Sequence, residues 1–182
     1  MKVYVKENTY IYLVILLFLV PIPWLCAWCV AVCFHELCHW LSVKLLGGAV
    51  YSLTIGMTGA NMVCQTLTDG KELISVLAGP LGGFLLALTA KWFPRVALCS
   101  WVLSVYNFLP LLPLDGGRAL QILLKSRAGF YIIEKIVLVA VTLFAAYLAI
   151  CLRFGVLPLA VTVILWLKNR KRPCKADVCK VQ

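Results

Sequence analysis

The chain has 182 residues, 63% of them hydrophobic, and a mean hydropathy of +0.98. A soluble core of that size cannot enclose so many apolar side chains, which excludes a soluble globular domain and makes a bilayer the expected solvent. The net charge of +10 comes without a basic stripe interleaved with aromatics, which excludes a nucleic-acid binder and leaves Lys and Arg to report orientation.

A crossing takes about 20 apolar residues, so the length allows several spans and no separate soluble domain. One membrane-embedded domain over 1–182 is expected, with helices at about 3–20, 24–46, 72–93, 96–114, 132–152 and 155–167. Breaks fall at Pro21-Ile22-Pro23, Pro94-Arg95 and Phe154-Gly155. The first run is flanked by lysine like a signal peptide, but Pro21 and Pro23 lead into Trp24 and not into a small-residue cleavage site, so it is read as a span. The run at 155–167 is short for a crossing and must tilt, thin the bilayer or pair with the fifth as a re-entrant hairpin. Between the second and third spans Tyr51, Leu53, Ile55 and Met57 alternate with Ser52, Thr54, Gly56 and Thr58, the period of a strand. Thr58-Gly59 then turns the chain into a second strand over 60–67. The expected class is an all-α polytopic membrane protein of about six transmembrane helices with a small membrane-associated β-hairpin.

Positive charges set the orientation, because cytoplasmic segments retain Lys and Arg. With the short basic tail at 168–182 in the cytosol, only Lys91, Arg95 and Arg153 of the 17 Lys and Arg lie outside. Both termini are then cytosolic, and the second and fourth spans end at the cytosolic side of a cell membrane. Of the nine cysteines, Cys26, Cys29, Cys33, Cys38, Cys64, Cys99 and Cys151 lie in or beside apolar runs as small hydrophobes. Cys174 and Cys179, in the tail, read as reduced cytosolic thiols.

His35-Glu36-Leu37-Cys38-His39 is an H-E-x-x-H sequence inside an apolar helix. The spacing places both imidazoles on one face, one turn apart, where one zinc can bridge them. Glu36, next to the first His, stands where a base can take a proton from an activated water. With two His and four Glu in the chain, chance placement makes this arrangement about one in four thousand. An isolated carboxylate in mid-span costs about 2.5–3.5 kcal/mol on insertion scales, a problem that a divalent ion and a wet cavity remove. Catalytic zinc usually takes three protein ligands. Glu7, Asp69, Glu72, Glu134 and Asp177 read as span ends or loops, whereas Asp115 closes the fourth span behind two prolines and before a glycine pair. Those prolines unwind the backbone at membrane depth, which is tolerated only inside protein or along a cavity. An N-cap role is the plain alternative for Asp115 alone.

In these residues the chain resembles the site-2 protease family of intramembrane zinc metalloproteases. That family is similar in carrying H-E-x-x-H on one core helix, as at His35 to His39, and N-x-x-P-x-x-P-x-D-G on another, as at 107–116. A G-P helix break between them matches Gly79-Pro80. The resemblance covers about 24–118, and family members often have Asn where this chain has Gly83. It implies one zinc per chain held by His35, His39 and Asp115, with Glu36 as catalytic base and Asn107 positioning substrate or stabilising the oxyanion. It further implies that the strand carrying Tyr51, Leu53, Ile55 and Met57 pairs with an unwound segment of a membrane-protein or membrane-associated peptide substrate. The six-span layout resembles the sporulation branch that processes a pro-sigma factor, without that branch's nucleotide-sensing tail. No insertion is long enough for a peptide-binding domain, so substrate selection points to regulatory membrane partners not named by the sequence. Two rival readings are a metal-ion transporter and a catalytically inactive protease-like scaffold. Transport has no use for a base beside the first His, and a scaffold has no use for the full set of ligands.

Overall fold

The computed structural model describes residues 2–5, 17, 20–56, 59–64, 68–124 and 127–151. Most of the run at 3–20, Met57, the run at 155–167 and the basic tail lie outside the described residues. The chain divides into two compact units, Met1–Phe108 and Leu109–Gln182.

The first unit opens with a strand, β1 (Lys2–Val5), followed by helix α1 (Ile22–Leu45). Pro21 stands at the N-cap and Pro23 in the first turn, where a missing N–H costs nothing because that donor has no partner within the helix. The other end closes in a Schellman motif: Gly48 N–H donates to Val43 O at 2.9 Å and Gly47 N–H to Lys44 O at 3.1 Å. Gly47 adopts φ 82°, a conformation that a Cβ would strain. Lys71 Nζ then donates to Leu46 O at 3.0 Å, satisfying one of the last carbonyls of the helix.

Strands β2 (Val50–Gly56) and β3 (Gly59–Cys64) form the expected hairpin, with a register shift between Val50 and Ser52. The sheet order is β1-β2-β3, and β1 runs parallel to β2 with Val3 opposite Leu53. This corrects two expectations. Residues 2–5 start no helical span: Lys-Val-Tyr-Val alternates, and pairing with β2 settles its conformation. Tyr51, Leu53 and Ile55 also offer no open edge, because β2 is the central strand and both its sides are taken. The outer edges of this sheet belong to β1 and β3.

Helix α2 (Asp69–Ala87) carries Asp69 and Glu72 in its first turn, favourable against the helix dipole, and passes into a 3-10 turn over Leu88–Lys91. The expected break at Gly79-Pro80 is absent, since α2 runs through Pro80. Proline removes one backbone donor and bends the ladder, and neighbouring helices can hold such a segment together. Helix α3 (Pro94–Phe108) starts at the expected proline but stops before Leu109, so the run at 96–114 is helical over its first part only. Pro110 and Pro113 lack the N–H groups that a further turn would need. Helix α2 packs on both α1 and α3 through small residues: Ser75, Gly79, Gly82 and Gly83 are buried on α2, Ala27 and Ala31 on α1, Ala97, Cys99, Ser100 and Ser104 on α3. Large side chains such as Ile74, Leu81, Leu85, Trp92 and Trp101 point outward.

The second unit begins with the irregular segment 109–114 and continues into helices α4 (Asp115–Leu123) and α5 (Arg127–Cys151). Its interior is built from Leu111, Leu114, Ala119, Phe130, Leu138 and Ala145. Among the described residues, three helical stretches are long and apolar enough to cross a membrane: Ile22–Leu45, Asp69–Lys91 and Gly129–Tyr147. At 1.5 Å per residue, the 15 residues of α3 span about 22 Å, less than the hydrocarbon thickness of about 30 Å.

Candidate metal centre

On α1 the residues four apart, Ala27, Ala31, His35, His39 and Val43, form one ridge, and that ridge is the inward face. The two alanines let α3 approach, with Cys99, Val96 and Leu103 packed against them. The histidines therefore take their orientation from the packing of α1. His35 is 4% exposed.

Helix α2 fixes His39. Its Nδ1 lies 2.8 Å from Ser75 O, and a carbonyl can only accept, so the ring hydrogen sits on Nδ1 and the lone pair on Nε2. A backbone carbonyl in this role sets the tautomer and aims the ligand atom. Gly79 makes room for it: a Cβ there would overlap His39 Nε2. The two Nε2 atoms stand 3.2 Å apart, with the rings edge to face at 81°. Zinc–nitrogen bonds of about 2.0–2.1 Å at the tetrahedral angle set two nitrogens about 3.3–3.4 Å apart, so this pair is spaced for one zinc ion. Glu36, partly buried, stands one residue from His35 and three from His39, on the flank of the same ridge.

Asn107 lies in the last turn of α3, and its Nδ2 donates to Leu103 O at 3.1 Å, within its own helix. Asp115 opens α4, in the first turn after Leu114. It thus follows the unwound segment expected from Pro110 and Pro113 and belongs itself to a helix N-terminus, where a carboxylate is favoured. Tyr51 and the backbone of Leu53 and Ile55 belong to β2, as described above, and Met57 lies outside the described residues. At Gly83, where relatives of the resembled family often carry Asn, α2 and α3 meet directly. Ser100 Oγ donates to Gly83 O at 2.8 Å, so the polar contact between these helices comes from α3. Two contributors escaped the sequence reading. Ser75 acts through its main chain, which leaves no mark in the residue type. Glu134, read there as a span end, is 3% exposed within α5; its place inside the apolar run 129–147 was the available signal.

No family model matches the chain. A zinc metalloprotease of Methanocaldococcus jannaschii is 27% identical over 150 residues, covering 75% of this chain and 43% of that protein. The chain thus spans less than half the length of this curated relative. Among solved structures, the site-2 protease from Methanocaldococcus jannaschii superposes with a TM-score of 0.65 at 20% identity, covering 98% of this chain and 94% of that one. The chain therefore has the fold of a site-2 protease.

Proposed function

We propose that this protein is an intramembrane zinc metalloprotease that hydrolyses peptide bonds within or next to the transmembrane segments of membrane-protein substrates. The observation that carries this reading is the His35–His39 pair, Nε2 to Nε2 at 3.2 Å, with Glu36 beside it on an apolar helix long enough to cross a bilayer. The name of the curated relative, a zinc metalloprotease, supports it. Asp115 is proposed as the third protein ligand, by donor type and by its place in the Pro110, Pro113, Asp115, Gly116 pattern. A zinc ion there would supply Lewis acidity to the scissile carbonyl and lower the pKa of the attacking water. Glu36 takes the proton of that water and delivers it to the leaving amine. Asn107, released from Leu103 O, would steady the substrate or the developing oxyanion. An extended substrate would pair along β1 or β3, where the sheet has its outer edges, and not along β2.

The ligand assignment has a direct test. The purified wild type should carry about one zinc per chain, and His35→Ala, His39→Ala and Asp115→Ala should each lose metal and cleavage together. Elemental analysis checks this, and equal zinc in all four proteins would sink the assignment.

We further propose six spans with both termini in the cytosol and the site toward the cytosolic side. The first unit supports this polarity. Lys71 reaches the C-terminal end of α1, one turn beyond Lys44, and His39 lies near that end. The opposite ends of the helices hold Pro23, Trp92 and Arg95 around one cavity. In a background without native cysteines, Lys171→Cys should react with an impermeant thiol reagent only after the membrane is opened, and Arg95→Cys without opening it. The reverse pattern would invert the topology.

A further inference from the structure

Glu134 has no part in the chemistry just described, yet it is the most enclosed acid among the described residues whose burial is given, at 3% exposure. It sits inside the membrane-length stretch Gly129–Tyr147, on the inward stripe of α5 between Phe130 and Leu138. One partner is specific. Leu112 N–H, in the irregular segment that leads to Asp115, donates to Glu134 Oε1 at 3.1 Å.

The segment 109–114 explains why such an acceptor is needed. Pro110 and Pro113 have no N–H, so the backbone donors are those of Leu109, Leu111, Leu112 and Leu114. Leu111 N–H is taken by Leu109 O at 2.7 Å and Leu114 N–H by Leu111 O at 2.8 Å, both inside the segment. Leu112 N–H is instead met from outside, by α5. Leu111 and Leu114 are buried, 2% and 8% exposed, so water is a poor substitute there. The segment also lies tight against the first turn of α4, since a Cβ on Gly117 would run into the backbone of Leu111 and Leu112. Backbone contact on one side and a carboxyl on the other thus hold the residue three positions before Asp115.

We infer that Glu134 is a positioning residue: by accepting the Leu112 N–H it locks the 109–114 turn and so aims Asp115. The inference rests on the reading of Asp115 as a metal ligand. Its consequence is that the acceptor oxygen matters more than the charge, so Gln should serve where Leu fails.

Hydrogen exchange by mass spectrometry on the full chain in detergent tests the lock without substrate or metal. A buried donor left without an acceptor loses roughly five- to hundredfold in local stability. In Glu134→Leu, exchange over 109–117 should speed up by roughly that factor while peptides of α1 and α2 keep wild-type rates, and Glu134→Gln should stay near wild type. On the zinc-loaded protein, loss of metal to a chelator should quicken in the Leu variant and not in the Gln variant. Should Glu134→Leu fail to fold, replacing Leu112 by its α-hydroxy acid deletes the donor, keeps both side chains, and should give the same local exchange. Wild-type exchange over 109–117 in either donor–acceptor deletion, an even rise across all helices, or a Gln variant as impaired as the Leu variant would overturn the inference. A wild type that holds no zinc would refute the metalloprotease reading separately, because the exchange pattern does not depend on metal.

Discussion

Glu36→Gln is expected to keep about one zinc per chain while peptide cleavage falls by about two to four orders of magnitude, the usual worth of a positioned general base. The substitution changes one atom and leaves the α1 ridge as it is, so His35 and His39 keep their 3.2 Å spacing and the Ser75 carbonyl keeps its hold on His39. What disappears is basicity: an amide oxygen cannot take a proton from water near neutral pH. This variant also separates the rival functions. A metal-ion transporter would move ions as before, and an inactive scaffold would show no cleavage in the wild type to lose. Parallel measurement of zinc content and cleavage of a transmembrane peptide decides among them. Hydrolysis near the wild-type rate would mean that another group activates the water.

Gly79→Ala is expected to empty the centre by adding one methyl group. The new Cβ would overlap the Nε2 edge of His39, and the ring cannot swing aside without breaking its 2.8 Å contact with Ser75 O. Either way the ligand atom leaves its place. Backbone weakening cannot account for such a loss, since Ala favours a helix interior over Gly by about 1 kcal/mol. Gly70→Ala provides the control on the same helix, because nothing lies within 4 Å of a Cβ there. Zinc should drop well below stoichiometric in Gly79→Ala, with cleavage falling in proportion, and remain full in Gly70→Ala. Full zinc and cleavage in Gly79→Ala would show that the ring is held less rigidly than its contacts require.

These two experiments also mark what could be read from the chain and what could not. His35, Glu36 and His39 were legible because they lie within five residues on a single helix, where local geometry alone brings them together. Pro110 and Pro113 announced the unwound segment before Asp115 for a similar reason, being local restrictions on φ and on backbone donors. Gly79 and Pro80 misled because the same restrictions suggested a break, whereas α2 continues and the glycine serves to admit a side chain from another helix. That use is a long-range fact. So is the pairing of Lys2–Val5 with β2, fifty positions away in the sequence, which local hydropathy read as the start of a span. Glu134 was passed over because Lys125, Arg127 and Lys135 surround it and suggested a membrane border.

The first unit is tightest where its residues are smallest. Alanine, glycine and serine line the contacts of α1, α2 and α3, while leucine, isoleucine and tryptophan face outward. Such an assembly gains little from hiding oil from water, since hydrocarbon surrounds it already. Its cohesion rests on contact distance, so each α-carbon in the seam acts as a spacer whose width is set to within a methyl group. Agents that work by wetting apolar surface would find little of that seam to wet. Amphiphiles that wedge between helices would pull it apart, and the histidine pair, lying in the seam itself, would be among the first things to separate.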